Sequence, residues 1–213
     1  MISDIDNATK IAEFLLQIKA VKLQPQNPFT WASGWKSPIY CDNRKTLSYP
    51  NVRTFVRQSY TETILEQYGK PDVIAGVATG GIAQGVLIAQ ELGIPFIYVR
   101  SSSKGHGLQN RIEGAFETDQ NVVVIEDLIS TGGSSLSAVE ALRDAGLNVK
   151  GVVAIFSYGF QQAEEAFKKA NCNLRVLSNY EVLIDKALSQ GAISKNDIES
   201  LRAWRVDPEN WGK

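Results

Sequence analysis

The sequence predicts an α/β fold with a central parallel sheet flanked by helices and a small N-terminal β-containing hood. From residue 72 onward, short runs of β-branched residues alternate with segments of helical periodicity, the pattern of a parallel sheet with helices on both faces. Residues 21–49 are instead rich in Pro, Trp, Ser and Gly, with only short extended pieces. A length of 213 residues fits one domain with a modest appendage.

The segment before the core is predicted to contain two helices separated by the hood. Asn7–Ile18 places apolar residues on one side of a helix, and Pro50 begins a second helix that ends near Tyr68. The extended pieces of the hood are Val21–Leu23, Phe29–Trp31 and Ile39–Cys41.

The core is predicted as a regular alternation of strands and helices. Its strands are Val73–Val77, Pro95–Val99, Val122–Glu126, Val149–Phe156 and Leu174–Leu177. The helices that follow them are Ile82–Leu92, Ser134–Ala145, Gln161–Ala170, Tyr180–Leu188 and Lys195–Trp204. Arg100–Phe116 has no periodicity, and so long a connection is usually functional. We expect three segments, namely helix and hood at 1–49, α/β core at 50–178 and C-terminal helices at 179–213.

Composition and charge exclude several classes of function. The 22 basic and 23 acidic residues give no overall field that would recruit nucleic acid or an anionic membrane. Cys41 and Cys172 lie far apart, which argues against a disulfide framework or zinc site and favours a reducing cytoplasm. The sequence shows neither a secretion signal nor an apolar run of membrane-spanning length. We therefore expect a cytoplasmic protein that binds neither nucleic acid nor membrane.

The most informative motif follows the third core strand. The apolar run from Val122 leads into the acidic pair Glu126 and Asp127, and a hydroxyl and glycine cluster follows at Ser130–Ser135. The N–H groups of such a turn and of the helix after it bind phosphate, while carboxylates accept hydrogen bonds from sugar hydroxyls. This order of apolar run, acidic pair and glycine cluster indicates a ribose 5-phosphate site. The glycines do not have the spacing of a P-loop or of a dinucleotide-binding motif. The alternative is an ordinary turn that only caps its helix.

Two further segments bear chemistry that fits a phosphorylated ligand. Gly76–Gly85 follows the first core strand and opens a helix, so its glycines allow the backbone to approach a second anion. Arg100–Gly107, which we call the lid, contains Lys104 and His106, the only histidine of the chain. Such a basic loop can close over a polyanionic leaving group, although it can also be a solvated surface loop.

These segments resemble known enzymes that use 5-phosphoribosyl 1-diphosphate (PRPP). The stretch Val122–Ser135 resembles the PRPP motif of type I phosphoribosyltransferases, whose fold the resemblance implies. The hood sequence Phe29–Tyr40 is similar to the F-T-x-x-S-G-x-x-S-P-x-Y segment of orotate phosphoribosyltransferases. The lid matches R-x-x-x-K-x-H-G of that family, and Arg111–Gly114 also resembles it.

The resemblance implies a role for each of these residues. The catalytic residues are Lys104, His106, Asp127 and Glu126. The PRPP-binding residues are Arg100, Lys104, His106, Glu126, Asp127, Leu128, Ile129, Ser130, Thr131, Gly132, Gly133 and Ser134. The diphosphate loop is Ala78, Thr79, Gly80 and Gly81, and the orotate-binding residues are Ser130, Phe29, Thr30 and Arg44. It also implies a homodimer whose lid acts on the partner's site, and Mg²⁺ that PRPP brings rather than a metal site of the protein itself.

Three positions depart from the family pattern. Ala32 stands where some members have a lysine, Phe156–Phe160 contains no arginine where those members have one, and Ser101 replaces a frequent second lysine of the lid. The partner of the orotate carboxylate therefore stays open between Arg44 and the N–H groups near Ser130.

The reaction that the resemblance implies is transfer of the phosphoribosyl group to N1 of orotate in pyrimidine synthesis. No Ser-His-Asp or Cys-His set is evident, so catalysis is expected to be electrostatic rather than covalent. Two alternatives are a transferase for another base, such as a purine, and a PRPP sensor that regulates transcription or binds RNA. The hood sequence argues against the first, and the near-neutral charge argues against the second.

Overall fold

The computed structural model describes residues 2, 4–31, 33–102 and 111–212. Their α-helices are α1 Ile5–Gln17, α2 Pro50–Tyr68, α3 Gly80–Leu92, α4 Gly133–Asp144, α5 Gln161–Lys169, α6 Tyr180–Ser189 and α7 Lys195–Val206. Their strands are β1 Val21–Leu23, β2 Phe29–Thr30, β3 Lys36–Ser37, β4 Ile39–Cys41, β5 Val73–Val77, β6 Phe96–Val99, β7 Ile112–Glu113, β8 Asn121–Ile129, β9 Asn148–Ser157 and β10 Leu174–Asn179. A 3₁₀ helix spans Asn43–Ser48.

The central sheet has the strand order β10-β9-β8-β5-β6-β7. All neighbouring pairs are parallel except β6 and β7, which pair antiparallel at one edge. The predicted α/β architecture is confirmed, with this short edge strand as an addition. Since β5 and β8 are adjacent and parallel, the turns that follow them lie at the same edge of the sheet.

Helices cover both faces of the sheet, and successive residues of each buried strand point to opposite faces. Ile74 and Val123 pack in a core with α1, α2, α3, α6 and α7, whereas Val73 and Val122 pack against α4 and α5. Strands buried on both faces are expected to be continuously apolar, as β5 and the buried stretch 151–156 of β9 are.

The hood consists of two small antiparallel ladders. β1 pairs with β4, and β2 pairs with β3 in a hairpin whose register places Thr30 opposite Lys36. The hairpin turn contains Gly34 at φ +87°, a conformation that glycine adopts at little cost. The sequence did not predict β3 or the 3₁₀ helix, because segments this short have too few residues to show a period.

Several element boundaries differ from the prediction, and one difference matters for function. β8 was predicted to end at Glu126 but continues to Ile129, because β9 pairs with it as far as Ile129 opposite Ser157. Glu126, predicted as the last residue of the strand, lies inside it, and Asp127 belongs to the strand rather than to the turn after it. α1 also begins earlier than predicted, since the Asp4 carboxylate caps it by accepting from the N–H groups of Asp6 and Asn7.

Within the described ranges, no helix is both long and apolar enough to cross a membrane. In the same part of the chain, the cysteines Cys41 and Cys172 are free thiols.

Candidate active site

The largest group of predicted site residues surrounds one cavity of about 480 Å³ at the carboxyl edge of the sheet, which we call the loop cavity. Its lining residues are Cys41, Asp42, Arg44, Ala78, Thr79, Gly80, Glu126, Asp127, Leu128, Ser130, Thr131, Gly132, Gly133, Ser134 and Ser135. The predicted phosphate turn, the acidic pair and three of the four residues of the predicted diphosphate loop are thus brought together.

The turn before α4 has the geometry of an anion site. Gly132 adopts φ +83°, and no side chain caps the first turn of the helix that begins at Gly133. The first N–H groups of an α-helix have no partner inside the helix, so an uncapped N-terminus offers donors and a partial positive charge. Ser130, Thr131 and Ser134 add hydroxyl groups to the same cavity wall.

The two acidic residues differ in their surroundings. Glu126 is buried, and its carboxylate accepts hydrogen bonds from the Asp127 N–H and the Ser135 hydroxyl, each at 3.0 Å. Burial, and after it the neighbouring charge of Asp127, raises the pKa of Glu126 to about 8. Asp127 is only partly buried. It is therefore the carboxylate better placed to meet a sugar hydroxyl, with Glu126 behind it.

The glycine loop after β5 packs directly on the acidic strand. A Cβ at Gly80 would collide with the Asp127 carboxylate, and one at Gly81 would collide with the Ile125 carbonyl oxygen. The peptide bond between Ala78 and Thr79 is cis. Ala78, Thr79 and Gly80 line the loop cavity, whereas Gly81 does not. The absent side chain of Gly81 instead allows the start of α3 to pack on β8.

A second cavity of about 310 Å³, the hood cavity, adjoins the first. It is lined by Thr30, Trp31, Tyr40, Cys41, Leu128, Ser130 and Tyr158. Cys41, Leu128 and Ser130 line both cavities. Apolar and aromatic walls suit a flat ring, while the shared residues place that ring beside the loop cavity.

The predicted orotate-binding residues divide between the two cavities. Thr30 lines the hood cavity, and Ser130 lines both. Phe29 lines neither; its ring packs 5.7 Å from that of Tyr40, which does line the hood cavity. Arg44 lines the loop cavity, where its Nε lies 2.7 Å from the Asp42 carboxylate.

The described residues on either side of the stretch 103–110 are held together. β6 pairs with β7, the Arg111 Nε donates to the Arg100 carbonyl at 3.0 Å, and Arg111 Nη1 donates to the Ser137 hydroxyl at 3.0 Å. The Arg100 guanidinium lies 3.4 Å from the Glu113 carboxylate and is not among the residues that line the loop cavity. Lys104 and His106 lie outside the described residues, as does Ala32.

The sequence did not reveal a buried hydrogen-bond network that joins the hood to the acidic strand. The amide of Asn43 donates to the Asp127 carbonyl at 2.7 Å and accepts from the Cys41 thiol at 3.2 Å. Burial raises the pKa of Cys41, which keeps the thiol protonated as a donor. From the other side, the Gln84 amide donates to Thr46 at 3.0 Å. No motif marks such contacts, because they join residues of separate elements.

The fold and the cavity define the class of protein. A mostly parallel sheet, an uncapped helix N-terminus after a buried acidic strand and a glycine loop on the neighbouring strand form a site for a phosphorylated sugar. A family model described as "Phosphoribosyl transferase domain" matches residues 49–189. The chain is therefore a phosphoribosyltransferase.

Comparison with individual proteins narrows the class to one family. The orotate phosphoribosyltransferase of Phocaeicola vulgatus is 61% identical over 200 residues, which cover 94% of each chain. That of Listeria monocytogenes is 52% identical over 204 residues, covering 96% of this chain and 98% of the relative. The crystal structure of the Aeropyrum pernix orotate phosphoribosyltransferase superposes with a TM-score of 0.75 at 26% identity, covering 86% of this chain and 99% of that one. The chain belongs to the orotate phosphoribosyltransferase family.

Proposed function

We propose that the protein transfers the 5-phosphoribosyl group of PRPP to N1 of orotate, with PRPP in the loop cavity and orotate in the hood cavity. The products are orotidine 5′-monophosphate and diphosphate. The observation that supports this division best is that Leu128 and Ser130 line both cavities. A ribose held between the phosphate turn and Asp127 then presents its C1 toward the hood cavity.

The loop cavity offers a separate group for each part of PRPP. Ser130, Thr131, Ser134 and the N–H groups at the start of α4 would hold the 5-phosphate. Asp127 would accept from the ribose hydroxyls, and the backbone of Ala78–Gly81 would hold the diphosphate. Holding all three parts at once uses remote binding energy to orient C1 for attack.

Catalysis is proposed to be electrostatic. As the bond from C1 to the diphosphate oxygen breaks, positive charge develops on the ribose and negative charge on the leaving group. The Asp127 carboxylate, held in place with Glu126 behind it, would favour the positive charge on the ribose. Arg100, Lys104 and His106 would stabilise the negative charge on the leaving diphosphate. Glu126→Gln combined with Asp127→Asn is expected to weaken the use of PRPP without unfolding the protein.

The implied Mg²⁺ fits the oxygen-rich wall of the loop cavity. Hydroxyl groups and the Asp127 carboxylate line it, and these are the hard donors that Mg²⁺ prefers. No cluster of three or more His, Cys, Asp or Glu that could hold a metal is found among the described residues. Mg²⁺ is proposed to be held chiefly by PRPP and water, as its preference for oxygen ligands and retained waters suggests, and when bound it would neutralise charge on the diphosphate.

A direct assay tests the proposed reaction. The absorbance of orotate should fall on addition of PRPP and Mg²⁺ and stay constant when PRPP is omitted. Diphosphate release with a purine in place of orotate measures the competing transferase activity. An unchanged orotate absorbance would contradict the proposal, and diphosphate release with the purine alone would support the other transferase.

We also propose a cytoplasmic homodimer in which the lid of one subunit acts on the site of its partner. The free thiols of Cys41 and Cys172 are consistent with a reducing compartment. Mixing Lys104→Ala and Asp127→Asn variants should restore activity, because each heterodimer then has one site with an intact lid and an intact Asp127. Each variant incubated alone is the control. Absence of rescue, with subunit exchange demonstrated, would refute the lid in trans.

A further inference from the structure

The hood and the C-terminal helix α7 lie at opposite ends of the chain, yet they pack on each other. Both fall outside residues 49–189, the part that matches the phosphoribosyltransferase domain. Trp204 of α7 is completely buried, and its indole N–H donates to the Lys36 carbonyl of the hood at 3.2 Å. Gln26, also in the hood, lies 3.0 Å from the Asp197 carboxylate of α7 through its side-chain amide.

Trp204 contacts the wall of the hood cavity from behind. Its ring centroid lies 5.6 Å from those of Trp31 and Tyr158, both of which line that cavity. Lys36, whose carbonyl accepts from Trp204, pairs in the β2–β3 hairpin with Thr30, a third lining residue. Trp204, which does not itself line the hood cavity, thus contacts two lining residues directly and a third through the hairpin partner of that residue.

The same residue has no comparable connection to the loop cavity. The described rings around Trp204, besides those two, belong to Phe160 and Tyr180, each at 5.3 Å, and neither lines the loop cavity. The effect of altering Trp204 should therefore fall on the acceptor side of the site.

We propose that Trp204 is a positioning residue for the acceptor, and that α7 and the hood act as one unit that sets the affinity for the base. This inference depends on the proposed function, in that the hood cavity must hold the base. Loss of the indole N–H leaves the Lys36 carbonyl without its donor, which loosens the hairpin and with it Thr30 and Trp31. The phosphate turn and Asp127 keep their contacts.

The test uses two ligands that differ only in the base. Orotidine 5′-monophosphate would occupy both cavities, whereas ribose 5-phosphate would occupy the loop cavity alone. In Trp204→Phe, we expect the dissociation constant for the nucleotide to rise about fivefold to tenfold, the effect of one lost buried hydrogen bond with slight repacking. Affinity for ribose 5-phosphate should stay unchanged, and the KM for orotate should rise with kcat retained.

Tyr180→Phe is the matched control. Tyr180 begins α6, and its hydroxyl donates to the Leu201 carbonyl of α7 at 3.0 Å. Its loss therefore costs α7 a buried hydrogen bond and leaves the hydrogen bonds between α7 and the hood in place. This variant should bind both ligands as the wild type does. If Trp204→Phe fails to fold, Gln26→Ala can be used instead, because it removes the more exposed hydrogen bond from the hood to Asp197. This variant should raise the dissociation constant for the nucleotide about twofold and leave that for ribose 5-phosphate unchanged.

The outcomes separate the two claims. If Trp204→Phe weakens the binding of both ligands equally, or leaves the binding of both unchanged, the positioning role is overturned. Weakened nucleotide binding in Tyr180→Phe would overturn it as well, because general loosening of α7 would then suffice. A wild-type protein that binds the nucleotide no more tightly than ribose 5-phosphate would instead contradict the assignment of the hood cavity to the base.

Discussion

The two cavities of the site are adjacent but are built in different ways. The loop cavity takes most of its wall from two turns that follow the neighbouring parallel strands β5 and β8. The hood cavity takes single residues from distant parts of the chain, such as Thr30, Leu128 and Tyr158. In the proposed arrangement, a sugar phosphate would be bound by local backbone geometry at the sheet edge, whereas the base would be bound by side chains that only tertiary packing assembles.

The chemistry of the walls differs in the same way. The loop cavity offers N–H groups, hydroxyls and carboxylates, which suit a ligand with several oxygen atoms and charges. The hood cavity offers the rings of Trp31, Tyr40 and Tyr158, which suit a planar base. Among the described residues, no arginine or lysine lines the hood cavity, and Arg44 lines the adjoining loop cavity instead.

The largest effect is expected from the lid. Lys104→Ala should lower kcat on the order of a hundredfold or more, because a cation that stabilises the leaving diphosphate is lost. The loss should be equal for any acceptor base, since the lid would act on PRPP alone. Steady-state kinetics would measure it.

Lys70→Ala is the control for this prediction. Lys70 is an exposed residue of the connection between α2 and β5 and lines neither cavity. Turnover at the wild-type rate in Lys104→Ala would refute the assignment of the lid.

Most of the loop cavity was predictable from the sequence. The order of apolar run, acidic pair and glycine turn specifies a strand, an anion site and a helix in consecutive residues, and the structure brings them to one edge as expected. The sequence did not indicate how deeply Glu126 is buried, because the length of β8 depends on its pairing with β9.

The hood cavity was predictable only in part. The similarity of Phe29–Tyr40 to a known segment indicated a hood over a base, but it did not reveal that Tyr158 completes the wall or that Trp204 supports it. Aromatic residues far apart in sequence show no period, and which of them meet depends on how α7 folds back. The hydrogen bond from Asn43 to the Asp127 carbonyl was missed for the same reason.

An intermediate effect is expected on stability, through Glu126. Its pKa of about 8 lies above the ordinary value of 4.5, so the folded protein binds more protons than the unfolded chain between these values. Stability without ligand should be fully present below about pH 4.5 and should fall as the pH rises toward 8. Glu126→Gln removes this charge, and its amide can still bond to Asp127 and Ser135. The free energy of unfolding of the variant should therefore exceed that of the wild type at pH 8, by on the order of a few kcal/mol, and the difference should shrink toward pH 4.5.

Denaturant unfolding across pH 4.5 to 8 would check this prediction. Asp127→Asn is the natural comparison, because that carboxylate is only partly buried. The wild type and Glu126→Gln should show different pH slopes, with the flatter curve in Glu126→Gln. Parallel curves would mean that the environment of Glu126 does not oppose its charge. The two acidic residues would then not differ in the way that their burial predicts.

The smallest effect is expected at the border between the cavities, where Arg44 lies. Its guanidinium is largely exposed and paired with Asp42, so the residue can contribute only modestly to the binding of a substrate carboxylate. Arg44→Gln should raise the KM for orotate about twofold to threefold and leave the KM for PRPP unchanged. Lys45→Gln is the control, because Lys45 donates to the Lys19 carbonyl and lines neither cavity. A rise in the KM for PRPP alone would assign Arg44 to the sugar phosphate instead. The N–H groups near Ser130 would then be the remaining partners for the orotate carboxylate. In that case the loop cavity would bind its anion with the help of a side-chain cation, whereas the hood cavity would rely on backbone groups.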